Sequence, residues 1–172
     1  MTGVRGYPCN DKMLIMVGKI AHEASLLENQ CENYLRLVIG IKEQDVLKFV
    51  LGGISTGKIR EALFKLLRGR YSGSPELADT IAQIHKDIQG VTSHRNDLFH
   101  STWGGAIFSK DITMGPAEII LGSGDNIGKS KRIRFTLKNA TDLNDEYFEL
   151  NQRMLTLMEK TGHITISRVT MD

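Results

Sequence analysis

Met13, Val17, Ile20, Ala24, Leu27, Cys31, Tyr34 and Val38 follow one another at alternating steps of four and three residues without a fault. That period puts all eight on one side of an α-helix, so this stretch must form a long amphipathic helix, ending near Gly40, with its apolar side covered. A seam of this kind suits the core of a helical bundle or the contact between two copies of a chain.

The same period recurs twice. Leu77, Ile81, Ile84, Ile88 and Val91 predict a helix that starts at Ser74-Pro75-Glu76, with serine as cap and proline in the first turn, and closes at Gly104-Gly105. Leu143, Tyr147, Leu150, Met154 and Leu157 predict a last helix starting at Thr141-Asp142. Thr56 is expected to cap another helix through Ile59, Leu63, Leu66 and Leu67, preceded by a short one from about Lys42 to Leu51 that Gly52-Gly53 stops. From Ala106 the period changes to two, giving strands at Ile107 to Met114, Ala117 to Leu121 and Lys131 to Leu137, with a turn over Gly122 to Asn126 and a final strand from His163 to Met171. The predicted fold is mainly α: an up-and-down helical bundle of four to five helices with a small antiparallel β-hairpin appendage. With 172 residues and 41% apolar content it is read as one domain, residues 1–172, with a helical core over about 11–103 and 141–161 and a β insertion over about 106–138.

A net charge of only +2 and an aromatic fraction of 6% exclude a bulk polycation of the sort that coats nucleic acid, so any basic surface must be local. Cys9 and Cys31 make no disulfide framework, Met1 to Pro8 carries no apolar signal core, and no apolar run approaches the roughly 18 residues that span a bilayer. A cytoplasmic protein with no membrane partner is expected.

The position after Val91 in the apolar register is Arg95, inside His94-Arg95-Asn96-Asp97-Leu98-Phe99-His100. A guanidinium enters an apolar seam only with an acidic partner, an anionic ligand or a wet cleft, because an unpaired buried charge costs several kcal/mol. Asn96 and His100, four apart, set an amide beside an imidazole on one helix face. The plain structural alternative pairs Arg95 with Asp97, Asp87 or Glu28 and leaves His100 as a cation at a helix C-terminus.

Arg95-Asn96, three further residues and His100, near the end of a long helix in a small bundle, resemble the Arg-x4-to-6-His motif of the HEPN superfamily. The resemblance covers roughly residues 10 to 161 as an order of helices, and its specific part is these six positions. It implies an up-and-down bundle paired as a homodimer and, for many members, a metal-independent endoribonuclease without cofactors. Other members are non-catalytic dimerisation or RNA-binding modules. A toxin or defence role, with an antitoxin or defence-system partner, belongs to the same implication. One toxin subgroup, silenced by a nucleotidyltransferase, carries a tyrosine two residues after the histidine; here that residue is Thr102.

The chemistry fits that implication. Cleaving RNA through its own 2′-hydroxyl needs proton transfer at two oxygens and positive charge for the phosphorane. His100 suits the first, Arg95 the second by bidentate contact, and Asn96 the orientation of His100 or a ribose hydroxyl. One imidazole cannot easily serve as acid and base in a single step, a physical reason for two copies to face each other.

Two basic stretches are candidate RNA contacts. Lys58, Arg60, Lys65, Arg68 and Arg70 lie on one helix, and Arg132, Arg134 and Lys138 alternate with Ile133, Phe135 and Leu137 on a strand. Lys58, Arg68, Arg132 and Arg134 are singled out from them, against the plainer reading of solvated faces. Gly52 to Lys58 matches the phosphate-loop pattern Gly-x4-Gly-Lys, but Ile59 stands where Ser or Thr would ligate magnesium and no strand precedes it, so a helix stop and cap is the better reading. Cys9, Cys31, His22, His85 and His94 show no zinc spacing, and no metal site is expected.

Overall fold

The seam of α1 (Asp11–Ile39) is apolar and inward as its period requires: Met13, Val17, Ile20, Ala24, Leu27, Cys31 and Tyr34 are all buried, and only Val38 at its end is partly exposed. The computed structural model describes residues 11–42, 51–100, 102–104, 118–122 and 132–165, and these form a mainly α helical bundle. Its other helices are α2 (Thr56–Arg70), α3 (Pro75–His100) and α4 (Leu137–Lys160); its strands are β1 (Thr102–Gly104), β2 (Glu118–Gly122) and β3 (Arg132–Thr136). The short helix expected before Gly52 and the strand expected at Ile107 to Met114 lie outside the described residues, as does most of the expected final strand; His163 to Thr165 are not strand.

Helix boundaries follow cap chemistry. Ser55, extended at ψ 147°, caps α2 by accepting the Lys58 backbone N–H at 3.4 Å, so Thr56 is the first helical residue and not the cap. The helix α4 begins at Leu137, four residues before the expected Thr141, because Thr136 and Asn139 cap it reciprocally. The Thr136 N–H donates to Asn139 Oδ1 at 2.9 Å, and the Asn139 N–H donates to Thr136 Oγ1 at 3.1 Å. The helix α3 stops at His100, short of Gly104, because Thr102 to Gly104 pair as β1 with Gly122 to Ile120 of β2. With β2 pairing antiparallel to β3, the expected hairpin becomes a three-stranded sheet of order β1-β2-β3.

Two compact units divide the chain, and α1, α3 and α4 each contribute a segment to both. One unit, Met1–Glu23 with Gly90–Tyr147, contains the sheet; Val91 and Leu98 of α3 and Ala140, Leu143 and Tyr147 of α4 are buried in it, and the Tyr147 hydroxyl donates to the Val91 carbonyl at 3.3 Å. The other, Ala24–Gln89 with Phe148–Asp172, holds most of the apolar core, including Leu63, Phe64 and Leu67 of α2 and Ile81, Ile84 and Ile88 of α3. In this second unit the C-terminal ends of α1, α2 and α4 meet. Tyr34 and Thr161 share a 2.6 Å hydroxyl bond, Tyr71 donates to the Thr161 carbonyl, and Arg70 donates to the Val38 carbonyl, setting a cation where negative helix ends gather. No helix among the described residues is long and apolar enough to cross a membrane.

Candidate functional site

The final turns of α3 carry the interrupted stripe. Val91 and Leu98 are buried on either side of Arg95, which is itself half-buried. The Arg95 Nε is enclosed and has no hydrogen-bond partner among the described residues. Its Nη1 donates to Asn96 Oδ1 at 3.4 Å, and the guanidinium lies over the Phe99 ring, 5.3 Å from the centroid. Asp87, one of the acids considered as its partner, is bound instead by Arg153 at 2.9 Å, and Arg95 forms no ion pair among the described residues. Asn96 is exposed, and His100 is exposed in the last turn of the helix.

The helix sets the directions of these groups. Four residues of α-helix leave Asn96 and His100 about 40° apart around the axis, whereas five residues leave Arg95 and His100 about 140° apart and roughly 7.5 Å along it. The structure therefore brings Arg95 to Asn96, sets Asn96 on the face of His100, and does not converge Arg95 with His100 within one copy. Phe99 was not singled out from the sequence; its four-residue spacing from Arg95 is the signal that marks it as the platform under the guanidinium.

Of the candidate RNA contacts, Lys58 and Arg68 are exposed on α2. Arg132 and Arg134 pair through β3 with Gly122 and Ile120 of β2, while their side chains lie outside the described residues. Lys138 is already bridged to Asp142 at 2.6 Å. The Gly52-Gly53 stretch is a turn, with Gly53 at φ +82°, where a side chain would be strained, followed by the Ser55 cap.

Two polar clusters went unassigned in the sequence. His85 is buried, stacks on Phe64 with centroids 4.5 Å apart, and has its Nε2 3.2 Å from Glu61 Oε1; Gln89 donates to the same oxygen at 3.1 Å. The Gln89 hydrogen bond, with the charge of and a hydrogen bond from His85, holds the Glu61 carboxyl below its ordinary range, although its partial desolvation opposes this. At the helix ends, burial pushes the Tyr34 phenol up to about 12 against the opposing Thr161 bond, and burial together with Arg70 lowers the His163 imidazole. Burial also pushes the Cys31 thiol up to about 12, which makes it inert as a nucleophile. An open groove of about 490 Å³ is lined by Ile15, Gly18, Lys19, His22, Glu23 and Asn144. Among the described residues no three His, Cys, Asp or Glu side chains are placed to share a metal ion. No protein-family model matches the chain, and neither a curated protein nor a solved structure matches it.

Proposed function

We propose that the chain is a HEPN-like, metal-independent endoribonuclease that cleaves RNA by attack of its own 2′-hydroxyl, with Arg95, Asn96 and His100 as the working residues. One observation carries the reading: an arginine occupies the apolar register of α3 with its Nε unpartnered among the described residues, beside an exposed amide that shares its helix face with an exposed imidazole. Phe99 and Asn96 hold the guanidinium by face and edge, leaving donors for two phosphate oxygens. His100 transfers the proton. The divergence of Arg95 and His100 along one helix is the reason a second copy belongs to the proposal: across a twofold axis, Arg95 of one protomer is brought to His100 of its partner, so that both motifs line one cleft. Activity of this kind fits a toxin or defence effector restrained by a protein partner.

The test is a single substitution. His100→Ala abolishes RNA cleavage while the thermal midpoint moves by no more than a few degrees, since an exposed side chain contributes little packing. Arg95→Lys fails as well, because a point charge does not reproduce a planar two-pronged contact. RNA cleavage that survives His100→Ala removes the reading; binding without any cleavage by the unmodified chain makes it a non-catalytic RNA-binding or dimerisation module.

A further inference from the structure

The side of α2 that faces solvent is built unlike the rest of the helix. Its inner side buries Ile59, Leu63, Phe64 and Leu67. On the outer side, Lys58, Ala62, Lys65 and Gly69 follow at steps of four, three and four and are all exposed, with exposed Arg68 flanking the row. Charged and small residues alternate along it, so two ammonium groups about 10 Å apart at their backbone origins stand over clearings with no side chain larger than a methyl.

Two further observations separate this row from an ordinary solvated face. The one acid of α2, Glu61, is turned to His85 and Gln89 of α3 and is not spent on the lysines. Arg70, the neighbouring cation, is engaged by the Val38 carbonyl, whereas the side chains of Lys58, Lys65 and Arg68 have no partner among the described residues. Gly69, the penultimate residue of α2, meets no atom within 4 Å if given a Cβ, as is also true of Gly18 and Gly90 in the other helices, so no contact among the described residues requires the clearing.

We infer that the outer face of α2 is a docking track for the phosphate backbone of an RNA strand, with Lys58, Lys65 and Arg68 contacting phosphates and Ala62 and Gly69 giving the strand room to approach. The inference takes from the ribonuclease reading only the identity of the polyanion. An acidic protein partner would need an apolar anchor at the centre of the contact, whereas the exposed Leu66 stands at the edge of the row and its centre holds only Ala62 and the lysines; base stacking would need aromatics, and the row has none. What remains is sequence-independent contact with phosphate, which depends steeply on salt.

The experiment uses the full chain and a fluorescent 2′-O-methyl RNA oligonucleotide, which binds but offers no 2′-hydroxyl to attack, with anisotropy titrations over a range of salt concentrations. The triple variant Lys58→Gln, Lys65→Gln, Arg68→Gln should lose about tenfold or more in affinity at low salt, and the slope of log affinity on log salt should become shallower by about 2, near 0.7 for each contact on a single strand. Gly69→Gln, which keeps every charge and fills the clearing, should weaken binding several-fold with the slope unchanged, and circular dichroism should show both variants folded. Unchanged affinity and slope in the triple variant overturn the inference, as does equal affinity of the unmodified chain for polyglutamate. An unmodified chain that binds through α2 yet cleaves no RNA keeps this inference and removes the ribonuclease reading; cleavage alongside unaltered binding by the triple variant does the reverse.

Discussion

Arg95 sits where its helix calls for leucine, and that conflict separates stability from function at one position. Its Nε is enclosed without a partner among the described residues, which is unfavourable by about 1–3 kcal/mol, while its stacking on Phe99 returns only about 0.5–1 kcal/mol at an exposed site. Arg95→Leu, restoring the register between Val91 and Leu98, should therefore leave the thermal midpoint unchanged or raise it while eliminating cleavage. A fall of many degrees in a calorimetric scan would show the guanidinium to be structural. The conflict was legible in the sequence because the stripe is regular enough for one charge to stand out. What the sequence did not convey was the direction of each side chain: a five-residue spacing reads as a cluster on the page and becomes a divergence of about 140° on the helix.

Cys31 and Tyr34 show the opposite case, polar groups absorbed wholly into a seam. Both hold their protons more tightly when folded, Cys31 moving from 9.0 to about 12 and Tyr34 from 10.0 to about 12, mainly through burial. The sign is fixed: below the unfolded values the fold keeps its full stability, and it loses stability as pH rises from about 9 towards 12, because the unfolded chain releases these protons first. Peptide-mapped alkylation at pH 8 should leave Cys31 unmodified in the native protein and label it in denaturant. Native labelling at the unfolded rate would mean that the thiol is not enclosed.

At the scale of elements, periodicity located the helices and cap chemistry fixed their ends. The apolar steps of α1, α3 and α4 were plain, since each buried residue repeats the one before it. In α2 the apolar steps placed Leu66 on the inner side, but Phe64 takes that place in the core, where its ring stacks on His85, and Leu66 is 44% exposed. The early start of α4 escaped because its reciprocal cap uses Asn139 where glutamate or glutamine is the usual fourth residue. The short β1 escaped because three residues carry no measurable alternation. The joint between α2 and α3 yields a prediction of its own. Glu61 has a lowered carboxyl pKa, so its contribution is present above the ordinary glutamate range and disappears as pH falls through the folded value. Glu61→Gln should flatten the acid limb of stability between about pH 3 and 5. Because the carboxylate is half exposed, the change should stay below about 1 kcal/mol. An unaltered acid limb would mean that the Glu61 hydrogen bonds are not maintained in solution.

For the whole molecule, a net charge of +2 hides an uneven distribution in which α2 carries five cations against one acid. The proposed RNA track rests on that asymmetry, and the proposed ribonuclease site on the exposed end of α3. The most direct test of this account is the chemistry of the RNA ends left by the unmodified chain in EDTA. Attack by the 2′-hydroxyl requires cleavage to continue without divalent metal, to leave a 2′,3′-cyclic phosphate and a 5′-hydroxyl, and to spare a substrate with 2′-deoxyribose at the cut site. Products with a 5′-phosphate, or cleavage that appears only when magnesium is added, would contradict it.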